Sequence, residues 1–388
     1  MPRGLRRRIV AFLCRRVWRA CGRKAVFINH VGHGFKCNPK YAAMALKARR
    51  PDLDVVWMGG MTRDDLKRLP KGIRYRSLHG LGALRELATA GAWVDNTSLL
   101  RFVERGLVKK PGQLYVQTWH GSMGPKKMDA EGAERGEDDL RELAMVDCIV
   151  SNSRFETEIY GGYYPSGAKP LEFGHPRNDV FFGEAAKRLP GEVRSRLGLA
   201  PGSRLCLYAP TFRDTSRRWD AVGARALLDA LEARFGGEWT LLFRPHPKDK
   251  GARIVDASGT DPSRVRDVSA YDDMQELMVA ADAMVTDYSG CIYDYVLSRR
   301  PGFLYAPDIR LFSEERGLYY PLSETPFPLA ETAAELVSNI RSFDSAAYAA
   351  AVGRFLEARG SVEDGGASER LAAFVEKALE ERSCRSGS

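Results

Sequence analysis

"QLYVQTWHGSMGPKKMD", residues 113–129, runs from an apolar stretch into a loop holding Trp119, His120, Gly121, Gly124 and the pair Lys126–Lys127. An apolar run that ends in chemistry-bearing residues is the signature of a parallel α/β sheet. Such sheets bind ligands outside the carboxyl ends of their strands. The same pattern recurs on both sides of this stretch. Before it come the strand candidates "AVFINH" (25–30), "DVVWMG" (54–59), "IRYRSL" (73–78) and "AWVDN" (92–96), and after it "CIVSNS" (148–153) and "PLEFG" (170–174). A segment rich in charge, glycine and proline, "GEAAKRLPGEVRSRLGLAPGSR", then interrupts the series. A second series follows: "LCLYAPTF" (205–212), "TLLFRPHP" (240–247), "VRDVS" (265–269), "AMVTDYS" (283–289) and "PGFLYAPD" (301–308). Helical patterns such as "DAVGARALLDALEARF" separate the runs, and this alternation predicts parallel sheets. The expected fold is therefore α/β, with two Rossmann-like domains facing across a cleft. The boundaries expected are 25–180 for the first domain, 181–360 for the second, and 361–388 for a closing helix and tail.

Composition is compatible with this division. A chain of 388 residues, 44 % apolar and 28 % charged, is long enough for two cores. Its seven cysteines form no C-x-x-C pair, which argues against a zinc ribbon or a disulfide scaffold. The net charge of +9 belongs to one end: residues 1–24 carry nine Lys or Arg and no acid, and the remainder is balanced. On a helix, Leu5, Ile9, Phe12, Leu13 and Ala20 would share one side, opposite Arg8, Arg15 and Arg19. The apolar run "IVAFLC" is too short to span a bilayer and has no cleavage site. A segment lying on an anionic membrane surface is the expectation for residues 1–24, with a solvated basic arm as the alternative. Nucleic acid is not an expected partner, because no basic stripe continues into the body.

The strand-end motifs suit phosphate chemistry. His120 can accept a proton from an attacking hydroxyl. A serine-hydrolase reading of "HGSMG" fails, because the position two residues before Ser122 is His120 and not glycine. In "RPHP", Arg244 and His246 are two residues apart and suit an anion, one clamping oxygens and the other donating a hydrogen bond. "TDYSGCIYDY" sets Ser289 and Gly290 at a strand-to-helix turn, with Asp294 one turn on. Arg177 in "GHPRND", and Pro210 and Thr211 in "YAPTF", are further candidates. There is no G-x-x-x-x-G-K-[ST] loop and no H-E-x-x-H, and Asp138–Asp139 and Asp272–Asp273 read as helix starts. No metal site and no cofactor are assigned.

Taken together, "QTWHGS", "SNSRFE", "GHPRND", "YAPTFRD", "RPHP", "TDYSGCIYDY" and "RRPGFLY" resemble, in order and spacing, the CDP-glycerol glycerophosphotransferases. These are the primases and polymerases of teichoic acids and related capsular polymers. "GHGFKCNPK" (32–40) is similar to that group's first glycine-containing loop, and the resemblance covers roughly residues 25–320. It implies a GT-B-like pair of Rossmann domains. It also implies an enzyme peripheral to the cytoplasmic face of the cell membrane, moving glycerol phosphate from CDP-glycerol to a polyprenyl-linked glycan and releasing CMP. Carried over by position, His120 is the general base and His246 its catalytic partner. Gly121, Ser122, Met123, Gly124, Arg177, Pro210, Thr211, Arg244, Ser289, Gly290 and Asp294 match donor-binding positions. The chain departs from the family pattern twice: Ser122-Met123 stands where the family shows Thr then Pro, and Ser289-Gly290 where it shows two serines. The chain's size matches a primase. The alternatives are a GT-B glycosyltransferase using a sugar nucleotide, and a ribitol-phosphate transferase of the same family.

Overall fold

The computed structural model describes residues 3–122, 124–128, 135–164, 167–211, 223–246 and 261–386. The chain forms two compact units. One comprises Met1–His120, Ala130–Asp179 and Ser361–Ser388; the other comprises Gly121–Asp129 and Val180–Gly360.

The first unit is built on seven parallel strands: β1 (Cys21–His33), β2 (Asp54–Gly60), β3 (Ile73–Arg76), β4 (Ala90–Asp95), β5 (Leu114–Gln117), β6 (Cys148–Ser151) and β7 (Lys169–Glu172). Their spatial order is β3-β2-β1-β4-β5-β6-β7. The order reverses between β1 and β4, which makes that pair the switch point of the sheet. Apolar residues on the central strands explain the burial: Phe27, Val55, Trp57, Val94 and Val116 pack in one core with Leu46 of the helix Cys37–Arg49.

The second unit repeats the plan with β8 (Arg204–Tyr208), β9 (Trp239–Phe243), β10 (Val265–Asp267), β11 (Ala283–Thr286), β12 (Gly302–Tyr305) and β13 (Leu329–Ala330). Its order, β10-β9-β8-β11-β12-β13, puts the switch point between β8 and β11. Leu205, Leu207, Leu242 and Met284 form its core with Leu277 and Val193. Two Rossmann-like units of parallel sheet are the expected GT-B-like class. All twelve strand candidates are present. β13, two residues long, carries no periodic signal of its own.

Two segments depart from the linear division expected from the sequence. Residues 361–388 belong to the first unit: the helix Ala367–Ser386 sends Leu371, Ala372, Val375 and Leu379 into the core that holds Phe27. Gly121–Asp129 belong to the second unit, although β5 before them belongs to the first. Burying an apolar stripe outweighs adjacency in sequence, and a closing helix packs wherever its stripe finds a matching face.

The basic N-terminus is a helix, Arg3–Phe12, followed by one wide turn in which Trp18 N–H donates to Leu13 O at 2.8 Å. Residues 21–24 already belong to β1, so the expected 1–24 segment is not a single helix. Val10 and Cys14 are buried, and Arg7 pairs with Asp138 at 2.8 Å. The apolar side read from the sequence faces outward instead: Leu5 is 49 %, Ile9 40 % and Phe12 60 % exposed. Among the described residues no helix is long and apolar enough to cross a membrane.

The helix docks over Gly106, whose φ is +99° and where a Cβ would collide with the Arg7 carbonyl. Gly106→Ala combines a left-handed backbone with that collision. It is expected to cost about 2 kcal/mol or more. The check is a chemical denaturation curve together with faster proteolysis at Arg15 and Arg16. A wild-type curve and cleavage rate would show that the helix does not depend on this contact.

Candidate active site

His120 lies three residues past the end of β5 and is exposed. The backbone leading to it is tightly held. Thr118 donates from N–H and from Oγ1 to Asp95 O at 2.7 and 2.9 Å. Asn38 Nδ2 donates to the carbonyls of Thr118 (2.9 Å) and Trp119 (3.1 Å), and Trp119 N–H donates to Gln117 Oε1 at 2.8 Å. These bonds hold Trp119 at φ +51°, a left-handed conformation that costs a non-glycine residue about 1–3 kcal/mol. The turn aims His120 Nδ1 at Asn96 O, 2.8 Å away. A carbonyl only accepts, so Nδ1 carries the proton and Nε2 bears the lone pair. That tautomer is the one a general base at Nε2 requires.

Asn96 is itself fixed at the switch point. Its Nδ2 donates to Asn29 Oδ1 of β1 at 2.9 Å, and its N–H donates to Asp95 Oδ1 at 2.8 Å. Behind it lies a buried acid cluster. Tyr115 Oη is 2.7 Å from Glu142 Oε1 and 3.3 Å from Asp95 Oδ2, and Glu142 also accepts from Leu99 N–H at 3.0 Å. Complete burial pushes the Asp95 carboxyl up to about 7, against the lowering pull of the Asn96 and Thr97 N–H groups. Burial raises Glu142 as well.

In the second unit the motif residues gather at three adjacent strand ends. After β8, Thr211 N–H donates to Asp287 Oδ2 at 3.0 Å, and Thr211 Oγ1 donates to Asp287 Oδ1. Asp287, just past β11, also accepts from Tyr288 N–H at 2.7 Å, so the switch point is closed by one carboxylate. Pro210 is buried beside Thr211. Past β9, Arg244 donates through Nη1 to the carbonyls of Val268 (2.9 Å) and Tyr271 (2.5 Å), and burial lowers its pKa against the pull of Asp273 and Asp272. His246, two residues on, is exposed. Ser289 Oγ accepts from Cys291 Sγ at 3.0 Å, and Gly290 follows it. Asp294 is turned inward, 2 % exposed, accepting from Gln275 Nε2 at 2.9 Å.

The loop after His120 is strapped onto this unit. Lys126 pairs antiparallel with Leu318, Lys127 N–H donates to Gly317 O (3.3 Å), and Tyr319 N–H donates to Pro125 O (2.6 Å). Gly124 lies flat on the Tyr293 ring, where a Cβ would stand 3.2 Å from the ring carbons. A Cβ on Gly290 would stand 3.7 Å from Ser122 N and 3.9 Å from Gly121 Cα. The structure thus brings Gly121, Ser122 and Gly124 to the Ser289–Gly290 turn; Met123 lies outside the described residues. The Lys127 stem packs over Gly317.

Arg177 is 3 % exposed within the first unit, its N–H donating to Asn38 Oδ1 (3.1 Å) and its Nη1 lying 3.7 Å from Cys37 Sγ. The "GHPRND" stretch is a 3₁₀ turn, Pro176–Phe181, locked from both sides. Asp179 accepts from Ala367 and Ser368 N–H at 3.0 and 2.7 Å, and buried His175 Nε2 stands 3.0 Å from Glu156. Reading by motif missed Asn38, Asp95, Asn96, Tyr115, Glu142 and Asp287. Asp95–Asn96 ends the strand candidate "AWVDN", and Asp287 lies in "TDYSG". Their roles depend on backbone groups and on neighbours far along the chain.

A sequence profile describes this architecture. The CDP-Glycerol:Poly(glycerophosphate) glycerophosphotransferase family matches residues 12–377, and the chain belongs to that family. The chain is 27 % identical over 375 residues to the teichoic acid poly(glycerol phosphate) polymerase of Staphylococcus epidermidis, covering 92 % of this chain and 51 % of that protein. It is 30 % identical over 309 residues to the teichoic acid glycerol-phosphate transferase of Staphylococcus aureus, covering 74 % of this chain and 76 % of that one. The chain spans about half the length of the polymerases of Staphylococcus epidermidis and Bacillus subtilis that it matches. Among solved structures, the wall teichoic acid polymerase TagF superposes with a TM-score of 0.80 at 25 % identity, over 98 % of this chain and 95 % of that one. The same polymerase has been solved with CDPG.

The acid cluster has a pH signature. Asp95 titrates near 7 in the folded protein and near about 3.9 when unfolded, so only the folded state holds this proton between those values. Stability therefore falls as pH rises through that window. In Asp95→Asn the slope of Tm against pH between about 4 and 7 should flatten relative to wild type. An unchanged slope would assign the titration to another group.

Proposed function

We propose that the protein transfers glycerol phosphate from CDP-glycerol to a hydroxyl of a polyprenyl-linked acceptor and releases CMP, in teichoic-acid or capsular polymer synthesis. The observation that carries this reading is the His120 tautomer, fixed by Asn96 O, on a chain of the glycerophosphotransferase family. The acceptor oxygen attacks the β-phosphorus in line, and its proton passes to His120 Nε2. The bond from that phosphorus to the bridging oxygen breaks, and CMP leaves with the electron pair. General-base assistance of this kind contributes about 10²–10⁴-fold.

The second unit holds the donor in this proposal. Arg244 and His246 meet the diphosphate at the end of β9, and the Ser289–Gly290 turn offers backbone N–H and a hydroxyl to it. Pro210 and Thr211 line the nucleotide side. Asp287 and Asp294 act one step back: the first holds Thr211 and the second faces Gln275. Arg177, buried beside Cys37, supports the Asn38 contacts on which the His120 turn depends.

Membrane attachment belongs to the same proposal. Leu5, Ile9 and Phe12 face outward on the helix Arg3–Phe12, with Arg6, Arg8, Arg15, Arg16 and Arg19 around them. Each such cation adds about 1 kcal/mol near an anionic leaflet. The helix would lie on the cytoplasmic face, where a polyprenyl-linked acceptor presents its head group.

Two experiments test the proposal. CMP release from CDP-glycerol with a lipid-linked disaccharide should fall at least 100-fold in His120→Ala, while the thermal unfolding curve is retained. Turnover at the wild-type rate in that variant would remove His120 from the chemistry. Release of a nucleoside diphosphate from a sugar nucleotide, with no CMP from CDP-glycerol, would instead make the protein a glycosyltransferase. For attachment, Leu5→Asp/Ile9→Asp/Phe12→Asp should abolish co-sedimentation with anionic liposomes, and full retention would refute the helix as anchor.

A further inference from the structure

Lys24, Arg76, Gly82, Arg85, Glu86 and Thr89 line a cavity of about 420 Å³ in the first unit. The helix Gly80–Thr89 forms one wall of it. The cavity is not part of the site around His120. Lys24 stands in register with Asp54, the first residue of β2, and Thr89 directly precedes β4, whereas His120 follows the carboxyl end of β5. Glu86, 8 % exposed, is shared among three cations. Its Oε2 accepts from Lys24 Nζ at 3.0 Å and Arg74 Nη2 at 3.2 Å, and its Oε1 accepts from Arg74 Nη1 at 3.3 Å. Arg76 Nη2 stands 3.5 Å from Oε1, an ion pair without a hydrogen bond among the described residues. Arg74 also donates to both carboxylate oxygens of Asp54 at 2.8 Å. The Arg85 guanidinium has no hydrogen bond or ion pair among the described residues. Lys24, Arg74, Arg76 and Arg85 therefore set four positive charges against the two negative charges of Glu86 and Asp54, an excess of two. Lys24 and Arg74 suffice to neutralise the carboxylates, which leaves Arg76 and Arg85 with guanidinium donors at the cavity wall. Gly82 makes room for the first of these. Its φ is not left-handed, yet a Cβ there would stand 3.3 Å from Arg76 Nη1 and 3.6 Å from its Cδ and Cζ. Glycine weakens a helix relative to alanine, and here it admits a guanidinium against the helix wall.

We propose that this cavity is a second ligand site, which binds a polyol phosphate with its phosphate on Arg76 and Arg85 and a hydroxyl on Glu86. Guanidinium groups present paired N–H donors that match phosphate oxygens, and an excess of two positive charges suits a phosphate dianion. A bare phosphate would meet the Glu86 carboxylate as a like charge. A ligand hydroxyl beside the phosphate turns that contact into a hydrogen bond. Glu86 Oε1 accepts only one hydrogen bond, from Arg74, so a lone pair remains for it. The volume falls within the roughly 300–1,000 Å³ of small-molecule sites. No aromatic side chain lines the cavity, so it offers no surface on which a nucleotide base could stack. A glycerol phosphate unit has the required chemistry, free in solution or within a phosphodiester chain. The proposal stands on the cavity and not on the transfer reaction at His120.

The test is isothermal titration calorimetry on the full chain with three probes: glycerol 3-phosphate, a trimer of glycerol phosphate joined by phosphodiesters, and inorganic phosphate. Arg85→Gln removes a side chain that holds nothing else in place, so the thermal unfolding curve should stay where it is. The Kd for glycerol 3-phosphate should rise about tenfold in that variant and further in Arg76→Gln/Arg85→Gln, the loss expected for a hydrogen bond to a charged group. Arg85→Lys, which keeps the charge, should recover part of the affinity. Inorganic phosphate should bind wild type about fivefold more weakly than glycerol 3-phosphate, because it has no hydroxyl for Glu86 beside a full dianion. A trimer Kd below that of glycerol 3-phosphate, lost in the same variants, would make a product-like chain the occupant; a weaker trimer would make it the free ester. Glycerol 3-phosphate binding that changes less than about twofold in both glutamine variants would overturn the site, as would equal affinity for inorganic phosphate. The KM for CDP-glycerol should be the same in Arg85→Gln as in wild type. Arg85-dependent binding in a protein that releases no CMP from CDP-glycerol would uphold the cavity and refute the transfer reaction.

Discussion

One hydrogen bond, from His120 Nδ1 to the carbonyl of Asn96 at 2.8 Å, sets the terms for the rest of the first unit. It determines the tautomer, and the tautomer determines which nitrogen can take a proton. Holding the acceptor carbonyl still requires Asn29 across the switch point, Asp95 beneath the peptide and Thr118 on the other strand. Holding the donor still requires a strained Trp119 pinned by Asn38. A buried carboxyl with a raised pKa and a left-handed tryptophan are both unfavourable alone. Surrounding bonds over-determine them, which is how strain persists at functional sites.

The two units differ in the groups they gather. The first sets His120 on the Asn96 carbonyl with buried acids behind it. The second gathers cationic and hydrogen-bonding groups at three neighbouring strand ends, with Asp287 closing its switch point. The loop 121–128 links the two roles: its strand belongs to one sheet, while its backbone pairs with Leu318 and Tyr319 of the other unit. Gly124 allows the chain to lie against Tyr293, where a Cβ would stand 3.2 Å from the ring.

The N-terminal helix shows how little patterning says about direction. Leu5, Ile9 and Phe12 read as an apolar side, and an apolar side usually faces a core. Here the helix docks instead through Val10 and Cys14, and the stronger stripe is turned out. The decisive feature is Gly106, a residue far along the chain that gives the backbone of the helix room to sit close.

The sequence by itself determined the alternation of strands and helices, hence two parallel sheets. It also determined that the candidate side chains His120, Arg244, His246, Thr211 and Ser289 follow strand ends, because an apolar run must stop where polar loop residues begin. The family was legible from the order of its motifs. Only the tertiary structure decided that residues 361–388 complete the first core and that Arg177 is buried. It alone disclosed the cluster of Asp95, Tyr115 and Glu142. These depend on contacts between residues 20 to 188 positions apart, or on a backbone carbonyl that every residue possesses. Periodicity and spacing encode which face a side chain leaves by, and packing alone decides what that face meets.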